Sequence, residues 1–216
     1  MTQKLYIISA GSFGRELYYL ARGFSPRHHQ HGFEPIIFLD DREDILQGKH
    51  LNGARIQEPV ESHQPESSAA YLCAIGDPKI REHYAALITD RGGKFATIVS
   101  EKANCNPDNT HLKQGVIISP FCVISCDVQL GPHTFVSSHT TISHDVQSGN
   151  CCQIGSHVVI GGKAMIGNRV TIHPHATILP GINIADDATI GAGSVVIRDV
   201  HQGETVFGIP AMTVKH

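Results

Sequence analysis

Ile154-Gly155-Ser156-His157-Val158-Val159-Ile160-Gly161-Gly162-Lys163-Ala164-Met165-Ile166-Gly167-Asn168-Arg169-Val170-Thr171-Ile172 places an isoleucine at every sixth residue. A strand repeats every two residues and a helix about every 3.6, so a period held at six marks a repeat architecture. The beat extends back through Ser148, Ile142, Val136, Leu130, Ile124 and Ile118 to Leu112, and forward through Ile178, Ile184 and Ile190 to Val196. Ser148 is the one non-aliphatic beat. Four residues after each beat comes a second inward position, small or β-branched, from Val116 and Cys122 through Thr134, Cys152 and Ala176 to Ser194. One large and one small inward residue per hexad is what a left-handed parallel β-helix requires, with three short strands per coil around a narrow triangular core. Three hexads make a coil of eighteen residues, so the beats give about five coils stacked at roughly 4.8 Å. Gly131-Pro132, Gly161-Gly162, Gly167-Asn168 and Pro180-Gly181 supply corners, where φ > 0 or a fixed φ is needed.

With 216 residues and 41% apolar content, the chain can hold one large domain or two small ones. No apolar run approaches eighteen residues and no charged-then-apolar leader opens the sequence, so a cytoplasmic protein is expected. A net charge of -3 without arginine clusters argues against nucleic acid as a partner. The six cysteines form no Cys-x-x-Cys pair, and Cys122 and Cys152 fall on the small inward phase as packing residues.

Residues 1–100 follow a different pattern, strands alternating with helices. Strands are expected at Lys4 to Ser9, Ile36 to Leu39, Tyr71 to Ile75 and Phe95 to Val99. A helix from Phe13 to Phe24 carries Leu17, Leu20, Ala21 and Phe24 on one face; a second opens with Asp77 as N-cap and Pro78 at its first position and ends at Gly92. This order gives a Rossmann-like α/β domain, whose ligands sit at the strand C-termini. The Gly11 turn, Asp40-Asp41 and Gly76-Asp77 occupy such ends. Amides of Gly11, Ser12 and Phe13, opening a helix, can hold phosphates, and Asp40 or Asp41 can accept from ribose hydroxyls or a base. The first glycine of a Gly-x-Gly-x-x-Gly dinucleotide fingerprint is replaced by Ser9, which weighs against a nicotinamide site. Residues 101–111, rich in Asn, Asp and Pro107, read as the linker to a β-helix domain with a C-terminal tail at 112–216.

The chain resembles the hexapeptide-repeat sugar acyltransferases, of the sialic-acid O-acetyltransferase and nucleotide-amino-sugar N-acetyltransferase type. The resemblance lies in Ser9-Ala10-Gly11-Ser12-Phe13-Gly14-Arg15-Glu16, Ala74-Ile75-Gly76-Asp77-Pro78-Lys79-Ile80-Arg81 and Ile142-Ser143-His144-Asp145-Val146-Gln147. It continues in Gly191-Ala192-Gly193-Ser194-Val195-Val196 and Val206-Phe207-Gly208-Ile209-Pro210-Ala211. It implies a homotrimer binding acetyl-CoA in a groove between neighbouring β-helices, through Gln153, Gly162, Pro180 and Ala192. It also implies a nucleotide-linked amino sugar held on the N-terminal domain by Gly11, Ser12, Phe13, Asp40, Asp41, Gly76 and Asp77, for lipopolysaccharide O-antigen synthesis. Gln153 stands where relatives often carry a second histidine, and Ser148 where an aliphatic is usual.

His144, two residues past the inward Ile142, sits at a corner and points away from the core. A near-neutral imidazole there can take the proton from an attacking amine or hydroxyl, and Asp145 can fix its tautomer. Residues eighteen apart stack, so Cys126, His144, Gly162 and Pro180 form one column, with the Gly162 amide one coil above the base and able to stabilise an oxyanion. Cys126 opens the alternative of a covalent Cys-His acyl-enzyme. His139, His157 and His175 form a second column. Its outer two members lie about 9.6 Å apart by strand spacing, too far for one zinc, whose nitrogens lie within roughly 4.2 Å of each other. No metal is expected, and the bland account is that all three take the φ > 0 corner position. The expected reaction is acetyl transfer from acetyl-CoA to the amino group of a nucleotide-linked 4-amino-4,6-dideoxy sugar. O-acetylation of a sugar hydroxyl, a non-catalytic nucleotide-sugar-binding trimer and a metal-dependent hydratase are the alternatives.

Overall fold

Ile118, Val136, Ile154, Ile172 and Ile190 lie side by side in one parallel sheet, each paired with the residue eighteen positions further on. The computed structural model describes residues 3–22, 32–49, 51, 53–106 and 108–214. It divides into two units, Met1–Ala96 and Thr97–His216.

The second unit is the parallel β-helix. Its three faces are sheets of eight, six and five strands, most strands only two residues long. Both expected inward phases are buried: Ile142, Ile154, Ile160 and Ile190 have no exposed surface, and neither do Val146, Cys152, Val158, Ala164 and Ala188. Each buried aliphatic side chain contributes roughly 1.5–3 kcal/mol. Stacking lets neighbouring coils share that core, which no single coil could close.

The corners explain the rest of the hexad. Phe121, Asp127, His133, His139, Asp145, Cys151, His157, Lys163, Arg169, His175 and Asp187 all have φ between 54° and 63°. Gly181 and Gly193 complete the series. The chain therefore turns once every six residues through the left-handed region, where non-glycine residues are uncommon. Three corners result. Phe121, His139, His157 and His175 mark the histidine corner, Asp127, Asp145 and Lys163 the His144 corner, and His133, Cys151, Arg169 and Asp187 the third. Among the described hydrogen bonds, the residue just before each left-handed one donates its N–H to no backbone acceptor. Proline fills that position at residues 120, 132, 174 and 180 because it has no N–H to leave unpaired. At the third corner Asn150 and Asn168 instead donate to side chains one coil on, Asn168 Oδ1 at 2.9 Å and Asp186 Oδ1 at 2.8 Å.

The β-helix starts earlier than the hexad beat. Ile98–Val99, Asn104–Cys105 and Thr110–Leu112 are strands of a first coil, so the expected linker at 101–111 is part of the helix. Ile98 and Asn104 pair nineteen residues on, with Ile117 and Val123, whereas Thr110 pairs eighteen on, with Val128. One extra residue, between Cys105 and Thr110, shifts the phase and hides this coil from the beat. Pro107 lies outside the described residues. At the far end Thr205–Phe207 continues the parallel ladder and Met212–Thr213 turns back antiparallel on it.

The first unit has a parallel sheet of β1 (Gln3–Ile8), β2 (Phe33–Leu39), β3 (Ile56–Glu58) and β4 (Ala70–Cys73), in the order β3-β2-β1-β4. Helices α1 (Ser12–Arg22) and α2 (Pro78–Asp90) accompany it. Successive residues of a strand face opposite ways. Tyr6, Ile8, Ile37, Leu39 and Tyr71 pack with Ala85 and Ile88 of α2, while Phe38 stacks on Tyr18 of α1. The Asp77 cap holds as expected, its Oδ1 accepting from Lys79 N at 2.9 Å and Ile80 N at 3.0 Å. Phe24, expected in α1, lies outside the described residues. The expected strand from Phe95 to Val99 is divided: Phe95 bridges to Tyr71 in this unit, and Ile98–Val99 belongs to the β-helix. β3 went unpredicted because Ile56-Gln57-Glu58 is too short and polar to show alternation.

Candidate active site

Asp145 is held at φ 59° by its corner, and its N–H donates to the Cys126 carbonyl at 3.1 Å. The Lys163 N–H in turn donates to the His144 carbonyl at 2.9 Å. Both backbone neighbours of the pair are thus fixed by the coils below and above. From this frame His144 Nδ1 lies 2.7 Å from Asp145 Oδ2. An ionised carboxylate only accepts, so Nδ1 carries the hydrogen and Nε2 presents a lone pair. The side chains are 54% and 50% exposed, so that lone pair is open to a ligand.

Gly162 stands directly over the ring. A Cβ there would lie 2.7 Å from both Cε1 and Nε2 of His144, closer than any ordinary contact. The missing side chain is what leaves the imidazole room in its column. Its carbonyl accepts from Gly181 N at 2.9 Å, while its N–H is used by none of the described hydrogen bonds. An exposed imidazole and an amide that none of the described hydrogen bonds engages therefore sit one coil apart. Pro180 follows in the same column. The half-buried Cys126 thiol, one coil below, makes no described hydrogen bond to His144.

Two expected cofactor residues lie elsewhere in the chain. Gln153 is in the eight-stranded face, between Phe135 and Thr171, and Ala192 precedes Gly193 at the histidine corner. Neither reaches the His144 corner within one chain. Ser148 is accommodated locally: its hydroxyl accepts from Gly131 N at 3.3 Å and lies 3.4 Å from the Gly149 carbonyl. At the histidine corner His139, His157 and His175 stack with ring centroids 4.8 Å apart and planes 2° from parallel. Phe121 continues the stack at 4.9 Å.

In the first unit the strand C-termini border a cavity of about 130 Å³, lined by Ser9, Asp40, Asp41, Arg42, Glu61 and Tyr84 among others. Ser9 has φ 76°, which explains why a glycine serves at this place in dinucleotide folds. Gly14 is obligatory for a different reason: a Cβ would collide with the Ser9 carbonyl oxygen where α1 crosses β1. Asp40, 4% exposed, is engaged on both oxygens. Oδ1 accepts from Arg42 N and Nε at 3.0 and 2.8 Å, and Oδ2 from Ala10 N and Arg42 Nη2 at 2.7 and 2.8 Å. Burial raises its pKa, but the Arg42 guanidinium and the Ala10 and Arg42 amides outweigh it and bring the group down to about 2. With its acceptor sites filled, Asp40 shapes the turn, whereas the neighbouring Asp41 side chain is 79% exposed.

Gly11 donates to Ser9 Oγ at 3.2 Å and its carbonyl accepts from Arg15 N at 3.0 Å, so it closes the turn into α1. Ser12 is exposed and Phe13 half-buried at the helix start, while Gly76 is exposed beside the Asp77 cap. Sequence reasoning missed Arg42, Glu61 and Tyr84. Tyr84 Oη donates to Glu61 Oε1 at 2.6 Å, and that bond, with burial, pushes the phenol up to about 12. Arg42 was detectable from its place after Asp40-Asp41. Glu61 and Tyr84 meet only through the tertiary fold.

Comparison with known proteins adds two family matches. The PglD N-terminal domain model matches residues 4–88, and the bacterial transferase hexapeptide model, six repeats, matches residues 163–198. The acetyltransferase domain of PglB from Neisseria gonorrhoeae FA1090, in complex with acetyl coenzyme A, superposes with a TM-score of 0.87 at 24% identity, over 99% of this chain and 100% of that one. PerB from Caulobacter crescentus, in complex with CoA and GDP-perosamine, does so with a TM-score of 0.85 at 21% identity, over 98% and 97%. WeeI from Acinetobacter baumannii AYE follows with a TM-score of 0.60 at 23% identity, over 99% and 100%. These likenesses establish the fold.

Proposed function

We infer, from a chain that joins a PglD N-terminal domain to bacterial transferase hexapeptide repeats, that this protein is an acetyltransferase acting on nucleotide-linked amino sugars. The observation that carries the reading is the His144–Asp145 pair with Gly162 above it. That arrangement matches the needs of attack on a thioester. The sugar amine attacks the acetyl carbonyl of acetyl-CoA while His144 Nε2 takes a proton from the nitrogen. Asp145 supports the imidazolium that forms. Negative charge gathers on the carbonyl oxygen, where the Gly162 N–H donates to it. Collapse of the tetrahedral adduct breaks the carbon–sulfur bond, and the proton held by His144 passes to the departing CoA sulfur.

In this reading the acceptor is a 4-amino-4,6-dideoxy sugar, its nucleotide carried by the first unit through the amides from Gly11 to Phe13 and through Asp41. The working form in this reading is a homotrimer, in which Gln153 of a neighbouring copy would approach the His144 corner. Two similar folds support the choice of ligands, one holding acetyl coenzyme A and one holding CoA with GDP-perosamine. The test is release of free CoA from acetyl-CoA on addition of a GDP-linked or UDP-linked 4-amino-4,6-dideoxy sugar. Turnover with the amino sugar and none with the corresponding 4-hydroxy sugar is the expected result. Turnover only with the hydroxy sugar would replace amine transfer by O-acetylation, and binding without turnover would remove catalysis.

A further inference from the structure

We propose that the cavity at the strand C-termini of the first unit is the pocket for the base of the nucleotide, and that Glu61, oriented by Tyr84, makes it select guanine over uracil. The proposal rests on the nucleotide-linked substrate of the reading above and adds which base it carries and which residue reads it.

The first observation is the order of the strand ends. The sheet runs β3-β2-β1-β4, so three neighbouring strands end side by side. β1 leads into the Gly11 turn and α1, β2 into Asp40-Asp41-Arg42, and β3 into Pro59-Val60-Glu61. Neighbouring strands lie about 4.8 Å apart. A nucleotide with its phosphates at the start of α1 therefore brings its ribose to the end of β2 and its base to the end of β3. The cavity of about 130 Å³ lies there, with Leu39, Val60 and Ile75 in its apolar wall and Arg42, Glu61 and Tyr84 among its polar groups.

The second observation is how firmly Glu61 is held although it is exposed. Its Oε1 accepts from Tyr84 Oη at 2.6 Å. Its carbonyl accepts from Arg91 Nη1 at 2.9 Å, and the same nitrogen donates to the His63 carbonyl at 2.8 Å. His63 is itself 1% exposed and fixed between Glu58 Oε1 at 2.7 Å and Tyr71 Oη at 2.9 Å. The Tyr84 bond holds the Glu61 carboxyl below the usual carboxylate range, so the group is an anion that only accepts. Fixing an exposed carboxylate at both backbone and tip removes an ordering cost that a ligand would otherwise meet.

Complementarity then picks the base. Tyr84 takes one lone pair of Oε1, and the carboxylate keeps acceptor sites on both oxygens. Arg42 adds a donor: its Nε and Nη2 are spent on Asp40, while its Nη1 is used by none of the described hydrogen bonds. Guanine offers along one edge an acceptor, O6, and then two adjacent donors, N1–H and the N2 amino group. Both donors can meet the oxygens of Glu61 at once, with O6 turned toward Arg42. In uracil the group after N3–H is the carbonyl O2, which would face the second carboxylate oxygen and be repelled. Adenine and cytosine each set a ring acceptor beside their amino group and meet the same repulsion.

The experiment is calorimetric titration of the full chain with GDP, inosine diphosphate and UDP. Wild type is expected to bind GDP about 10–100-fold more tightly than UDP, the usual worth of one bidentate base contact. Inosine diphosphate, which keeps N1–H and lacks the amino group, should fall in between. Glu61→Gln exchanges an acceptor for a donor and should reverse the order, weakening GDP and strengthening UDP, whose O2 then meets an amide N–H. Tyr84→Phe releases the carboxylate and should lower the GDP-to-UDP affinity ratio. Thermal melts check that both variants fold. UDP bound as tightly as GDP by wild type overturns the guanine assignment while leaving a nucleotide substrate standing. A GDP preference unchanged in Glu61→Gln overturns the role of Glu61. Binding of none of the three overturns the proposal together with the nucleotide reading beneath it, and the acetyl-transfer assay then tests the catalytic reading separately.

Discussion

Gly162→Ala should disable the enzyme without unfolding it. The added methyl would lie 2.7 Å from Cε1 and Nε2 of His144, and carbon atoms rest at about 3.5–4.0 Å. The ring must therefore retreat by about 1 Å. It can do so cheaply in stability because it is half exposed, but retreat pulls Nδ1 away from the Asp145 carboxylate, now at 2.7 Å. A misplacement of about 1 Å costs on the order of 10²-fold in rate, and positioned general-base catalysis is worth roughly 10²–10⁴. We expect kcat to fall about 100-fold, KM for acetyl-CoA to change little, and the melting temperature to move by no more than about 2 °C, as a surface change of roughly 0.5 kcal/mol would move it. Steady-state kinetics and a thermal melt measure both. The same substitution placed on His144→Ala should cause almost no further loss, since the ring it displaces is gone. A Gly162→Ala enzyme within twofold of wild type would refute the steric argument. A full 100-fold loss on the His144→Ala background would move the effect from the ring to the Gly162 amide.

His144→Ala should lose roughly 10²–10⁴ in kcat, read by CoA release. Asp145→Asn keeps a residue that tolerates φ > 0 but exchanges a charge-assisted bond, worth about 1.5–3 kcal/mol, for a weaker one; kcat should fall about tenfold or more. Ile154→Ala, at a position with no exposed surface, should cost about 2–5 kcal/mol in urea unfolding of the β-helix. Asp40 has its carboxyl lowered from 3.8 to about 2 by Arg42 and two amides against the opposing effect of burial. A depressed carboxyl stabilises the fold above its unfolded value and loses that contribution as pH falls through the folded one. Stability of the first unit should thus drop by roughly 2 kcal/mol between about pH 4 and 2, and Arg42→Ala should flatten that dependence in acid unfolding curves.

The β-helix was legible because its inward residues recur with fixed spacing, and spacing survives in a bare sequence. Multiplying six by three placed Gly162 over His144, and it put His139, His157 and His175 in one stack before any coordinates. The same counting missed the first coil, where one extra residue breaks phase between Cys105 and Thr110. Asp40 shows a different limit. Its place at a strand end was readable, but its four donors come from Ala10 and Arg42, and only the fold brings Ala10 to it. β3 left no periodic trace, and Glu61 with Tyr84 forms a pair only because α2 packs beside the segment that follows β3. Gln153 and Ala192 lie away from His144 in a single chain, a separation that the six-residue count alone already implies.

The reversal at Met212–Thr213 bears on solubility. A stack of parallel coils has two ends, and each end is a row of backbone donors and acceptors onto which another such stack could add. Adding a coil in parallel register continues the ladder indefinitely, which is the growth rule of a fibre. By turning antiparallel against Thr205–Phe207, the last strand presents an edge with the wrong polarity for that addition. Removing residues 208–214 would expose the parallel edge, and the molecule would become a monomer unit for end-to-end polymerisation.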